Sequence, residues 1–166
     1  EPWTAEEAGL MLRLDELAGF PDAVSALAPP GPLAAPLSDL TLAFARFMAA
    51  NPQAPAVGIN HAITPVVAAR TLVPYLPTHS TADLYARLWQ VGAAIVAGFT
   101  PAGASVDGAI DTDPPAPGDL VDQVVGHPDP HAVKLTEACL REHADHPDPA
   151  YLLAAQHLIA TMPRRP

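Results

Sequence analysis

The stretch HPDPHAVKLTEA, residues 127–138, holds the only lysine of the chain, Lys134, three residues after His131, while the other cationic side chains are all Arg. Pro130 after Asp129 opens a helix, with the Asp as cap and the Pro at the first helical position. On that helix His131 and Lys134 are i,i+3 neighbours and can address one point in space. An imidazole there can shuttle protons or ligate a metal. Lys134 is followed by Leu135, Ala138 and Cys139, so its side of the helix reads as largely apolar, although a solvated helix lysine beside a surface or core histidine fits the same spacing. His127 lies behind Pro128, outside the helix. A second candidate is His61 in GINHAITP, set among Ile59, Ala62 and Ile63 with Pro65 just beyond; it reads equally as a hydrogen-bonded core residue or as a ligand. A break at Pro65 favours a site, because irregular backbone re-aims side chains. His79, His143, His146 and His157 read as structural or exposed. The sequence has no G-x-G-x-x-G, Walker loop, H-E-x-x-H, C-x-x-C or G-x-S-x-G.

The elements that must position these residues are helical. Ala, Leu and Val dominate the apolar set and aromatic residues are only 5%, a bias toward helix over sheet. Thr4 and Glu7 form a capping box for a helix from about Ala5 to Leu17. Pro21 and Asp22 start a short helix through Leu27, and Pro29 to Pro36 read as a loop. Ser38 caps a helix to Ala50 with Leu40, Phe44, Phe47 and Met48 on one face. Ala56 to Leu76 reads as a helix broken or kinked at Pro65. Thr81 caps a helix over Ala82 to Phe99 with Leu84, Leu88, Val91 and Ile95 inward. Residues 100–118 read as a mobile Pro/Gly/Asp loop. A short helix from Asp119 to Val125 closes at Gly126, and Asp129-Pro130 and Asp148-Pro149 open helices over 130–144 and 149–162. The expectation is an all-α domain of about seven helices over residues 1–166, one of them Pro-broken.

A net charge of -10 and no basic stripe argue against nucleic acid. The apolar run Val91 to Phe99 is too short to span a membrane. A single cysteine, Cys139, cannot make an internal disulfide and reads as a small buried hydrophobe in a reducing, cytoplasmic setting.

With NHAITPVVAARTLVPYLP and HPDPHAVKLTEACL in view, the chain resembles the questin oxidase-like family. The blocks LTLAFARFMAANPQAPAVGINHAITPVVAARTLVPYLP, LWQVGAAIVAGFTP and HPDPHAVKLTEACL look like successive parts of that family's C-terminal half, over about residues 38–142. The resemblance implies an oxygenase that uses O2 to open polycyclic aromatic quinones, such as aromatic polyketides of natural-product metabolism. It also implies a non-haem Fe(II) held by several histidines and a modified lysine. Carried onto this sequence, the ligands are His61, His131 and Lys134, the lysine as a CO2-derived carbamate, since an ammonium has no lone pair for a metal. Family members are about twice as long, so the expected companion is an N-terminal half, in the same protein or a separate chain, that brings further histidines. Two other functions fit the sequence: a metal-free helical scaffold that has lost the chemistry, and an NADPH-dependent Baeyer-Villiger type monooxygenase, for which no cofactor fingerprint is present. Phe44, Phe47 and Trp89 offer flat apolar walls or ordinary core.

Overall fold

The computed structural model describes residues 34–77, 80–100, 103, 104, 110 and 112–162, with Gly19, Asp22 and Ala26. The helix expected over Ala5–Leu17, most of the proline loop before Ala34, His79 and much of the 100–118 loop lie outside these residues. In the segment expected to form a short helix at Pro21, the Ala26 N–H donates to the Asp22 carbonyl at 3.0 Å, the bond of one helical turn.

Six α-helices follow: α1 (Ala34–Ala50), α2 (Ala56–Leu72, extended by a 3-10 turn over Val73–Tyr75), α3 (Thr81–Phe99), α4 (Pro117–Val124), α5 (Pro130–Asp145) and α6 (Pro149–Thr161). The described residues contain no strand, so the fold is all-α. Helix α2 is the central element, packed against α1, α3, α5 and α6. Nine of its residues, including Ile59, Asn60, Ile63, Val66 and Val67, are buried, which is why it lacks a polar face. The segment Ala56–Tyr75 is long and apolar enough to cross a membrane by composition, a longer apolar run than Val91–Phe99, but in this fold it is the core helix.

The core is built from Leu37, Leu40, Phe44, Phe47 and Met48 of α1, Ile59, Ile63, Val66 and Val67 of α2, Leu135, Ala138 and Cys139 of α5, and Tyr151, Leu152 and Leu158 of α6. Burying a side chain of the Leu, Ile or Phe class contributes about 1.5–3 kcal/mol. Cys139 is a free, fully buried thiol, and burial, with the Glu142 carboxylate nearby, pushes its pKa well above the ordinary thiol value, so it is inert packing.

Several local expectations change. Helix α1 begins at Ala34, not after Ser38, because Pro36 falls in the first turn, where no intrahelical N–H is needed. Ser38 is therefore inside the helix, buried, and accepts a bond from Arg70 at 2.8 Å. Pro65 does not break α2, which runs through it without interruption to Leu72; its ring is exposed, and the lost donor is the one that the His61 carbonyl would accept. Thr81 is the first residue of α3 and Ser80 is the cap. The inward stripe of α3 is Tyr85, Gly92 and Ile95, with Leu88 packed beside it, while Val91 is 50% exposed. Gly92 is small for a reason, since a Cβ there would come within 2.2 Å of the Phe44 ring. The capping expectations at Asp129 and Asp148 hold, each Asp accepting the N–H two residues on, at 2.8 and 2.9 Å; Gly126 is left-handed as expected, φ +77°, but lies in the turn just past the extended C-cap Val125.

Helices α2 and α5 run side by side in the same direction. Near their starts His61 faces His131, and near their ends Arg70 meets Glu142 and Asp145, while Arg141 donates to Thr71 at 2.9 Å. The α2/α5 seam is thus pinned by polar pairs at its far end and closed by a histidine ring contact at its near end.

Candidate metal centre

His61 and His131 are 70 residues apart in sequence and come together across the α2/α5 seam, with ring centroids 5.2 Å apart and planes inclined by 60°. Each ring is held by an acceptor on its own helix. The His61 Nδ1 lies 2.7 Å from the Val57 carbonyl one turn back; a carbonyl only accepts, so Nδ1 carries the proton and the ring lone pair is on Nε2. The His131 Nδ1 lies 2.9 Å from Asp129 Oδ1, and a carboxylate imposes the same tautomer. A histidine that donates from one ring nitrogen to a carbonyl or carboxylate and ligates through the other is the standard arrangement of a metal-bound imidazole. In its donors the pair therefore fits a borderline divalent metal such as Fe(II).

Asp129 is the residue that sequence reasoning missed, read there only as a cap. Its Oδ1 accepts both the backbone N–H and the ring of His131. Partial burial alone would raise its carboxyl pKa; the bonds from His131 and the fields of His131 and His127 outweigh this and hold it below the ordinary 3.8. His127, left open by its position behind Pro128, joins the same group: its Nδ1 accepts the Asp129 N–H at 3.1 Å. The spacing Asp-Pro-His was the available signal, because an N-cap carboxylate lies beside the side chain at the second helical position.

Lys134 is placed differently from its neighbours. The buried stripe of α5 is Ala132, Leu135, Thr136, Ala138, Cys139 and Glu142; Lys134 lies about 60° around the helix from His131, at the outer edge of that stripe, and is exposed. The apolar neighbours at positions 135, 138 and 139 therefore do not bury Lys134. Among the described residues, no group of three His, Cys, Asp or Glu converges on a metal position.

Of the remaining histidines, His143 is structural as expected: its Nδ1 accepts the Asp148 N–H at 3.2 Å and so ties the end of α5 to the start of α6. His146 is the C-cap of α5. His157 is partly buried, and burial lowers its pKa below 6.5 despite a backbone hydrogen bond at Ala54; its Nε2 has no hydrogen-bond partner among the described residues.

A buried polar cluster at the far end of the seam was not foreseen either. Arg70, 21% exposed, donates to Glu142, 1% exposed, at 2.6 Å, and also to Ser38 and Asp145. Burial pushes the Glu142 carboxyl above its ordinary value, the Arg70 guanidinium and the Ser38 hydroxyl pull it back, and Asp145 raises it again. The Asn60 amide and the Tyr151 hydroxyl are fully buried and have no protein hydrogen-bond partner among the described residues.

No protein-family model, curated protein or solved structure matches the chain.

Proposed function

We propose that the His61/His131 pair is this chain's contribution to a non-haem iron centre, in an oxygenase that opens a polycyclic aromatic quinone. The observation that supports the reading is the geometry of the two rings: imidazoles from separate helices, centroids 5.2 Å apart, each with Nδ1 against an acceptor, which leaves the ring lone pair on Nε2. The questin oxidase-like resemblance of the surrounding blocks supplies the reaction class. Iron, when bound, supplies the electron-transfer chemistry that lets O2 attack an aromatic ring.

The residues of the chain act on position and charge. The Val57 carbonyl and the Asp129 carboxylate hold the two rings, and the α2/α5 seam keeps them together. In this reading Lys134, one helical turn from His131 on a flexible four-carbon arm, brings an anionic oxygen as its carbamate, which balances neutral imidazoles around a divalent ion. The remaining ligands come from a companion segment, because the described residues bring two imidazoles into contact and add no third His, Cys, Asp or Glu ligand. A metal-free scaffold is the second reading, favoured by the exposure of Lys134.

Iron analysis separates the two. The protein isolated anaerobically with its companion segment retains a single iron and consumes O2 when given a hydroxyanthraquinone, and both properties are lost in His61→Ala and in His131→Ala. Iron absent from the assembled protein, or retained equally in both variants, contradicts the metal-centre reading.

A further inference from the structure

We propose that Asp129 is a positioning residue whose carboxylate fixes the Nδ1–H tautomer of His131 and aims its Nε2 toward the metal shared with His61; the inference rests on the metal-centre reading above. The chain carries its own control. Two Asp-Pro caps open α5 and α6, and both accept the N–H of the second helical residue, at 2.8 Å for Asp129 and 2.9 Å for Asp148. At Asp148 the capping oxygen has that one bond among the described residues, and the other oxygen takes Arg46 at 2.7 Å. At Asp129 the capping oxygen also takes the His131 ring, at 2.9 Å. Capping does not require the ring bond, and Ser or Asn would cap as well as Asp. What only a carboxylate at position 129 adds is a charged acceptor for the imidazole.

The flanking residues hold that carboxylate in place. Pro128 and Pro130 stand on either side of Asp129, and the second keeps it extended, with φ -94° and ψ 120°. The His127 ring accepts the Asp129 backbone N–H at 3.1 Å. The stretch HPDPH is therefore a relay of fixed groups, from His127 through the Asp129 backbone and carboxylate to the His131 ring. A carboxylate behind a ligating histidine raises its basicity and fixes its orientation, and the loss of such a partner typically costs 10–100-fold in metal affinity.

The test uses Co(II) as the probe and the full chain assembled with its companion segment, carrying Asp129→Ser, Asp129→Asn or, as control, Asp148→Ser. Asp129→Ser keeps the helix cap and loses the ring acceptor, so its Co(II) dissociation constant rises about 10–100-fold. Asp129→Asn, which keeps a neutral acceptor, falls between it and the parent, and Asp148→Ser leaves Co(II) affinity unchanged. An independent readout is the 15N spectrum of the His131 ring at alkaline pH without metal: one Nδ1–H tautomer in the parent, a mixture in Asp129→Ser. Parent affinity together with a parent tautomer in Asp129→Ser overturns the proposal, as does an equal loss of affinity in Asp148→Ser. Should the parent bind no Co(II) even with its companion segment present, the metal-centre reading fails, and the ring spectrum still decides whether Asp129 holds His131.

Discussion

Replacing Arg70 by Met keeps the apolar stem and removes the only positive charge within hydrogen-bond distance of Glu142 among the described residues. Glu142 is 1% exposed and its Oε1 has no partner among the described residues, so the substitution strands an anion in the core. Removing one partner of a buried pair costs about 3–5 kcal/mol; since Arg70 is itself 21% exposed, the lower end applies, about 3 kcal/mol. At roughly 2–4 °C per kcal/mol for a chain of this size, Tm falls by about 6–12 °C. The deficit depends on pH with a definite sign. Glu142 has a folded-state pKa above its ordinary 4.5, and loss of the guanidinium raises it further. A carboxyl shifted in that direction penalises the fold above its folded pKa, and the penalty disappears as pH falls through that value. Urea denaturation at pH 7 and pH 5 measures both effects: a large deficit at pH 7 that shrinks at pH 5, with Arg70→Met/Glu142→Met recovering much of the loss because a buried pair can be exchanged for apolar packing. A deficit below about 1 kcal/mol at pH 7, the scale of a surface pair, would refute the reasoning, as would one that does not change with pH.

Gly92→Ala, ordinarily stabilising in a helix, lowers the urea midpoint by the equivalent of about 1–3 kcal/mol, because its Cβ meets the Phe44 ring. His157, with a folded pKa below 6.5, contributes a loss of stability as pH drops through 6.5 toward its folded value; His157→Gln flattens this part of the pH profile, by at most about 1.4 kcal/mol per pH unit, read from Tm between pH 7.5 and 5. Lys134→Arg, which cannot form a carbamate, abolishes iron retention in the assembled protein, whereas Lys134→Glu keeps part of it; a 13C carbamate signal after labelled bicarbonate reports the modification itself.

Helix existence was legible because it depends on local periodicity and punctuation. The Asp-Pro caps, the left-handed Gly126 and the α1 face of Leu40, Phe44, Phe47 and Met48 could all be read along the chain. Where two local signals competed, the reading went astray: Ser38 resembles a cap, but Pro36 is equally at home in a first turn, and Pro65 was given breaking power that an exposed position in a well-packed helix does not grant it. Val91 looked inward because the α3 stripe was phased on leucines, when the tight seat is at Gly92, whose lack of a side chain gives no hydrophobic signal. The pairing of His61 with His131 depends on α2 and α5 lying parallel, a tertiary fact for which the sequence supplied two candidates and no distance. Glu142 and Arg70 gave no sign of burial, because a charged pair is legible only when both partners are seen to meet. Lys134 shows the reverse error, since apolar neighbours at positions 135, 138 and 139 do not bury a residue at the stripe's outer edge.

The central claim is that one metal ion takes both imidazoles. Cu(II), which heads the affinity order of divalent first-row ions, populates even a partial site, and pulsed electron paramagnetic resonance counts the imidazole nitrogens that couple to it. Two equivalent imidazoles in the parent chain, one in His61→Ala, one in His131→Ala and none in the double variant is the result that the geometry predicts. An imidazole count that neither substitution changes would contradict it.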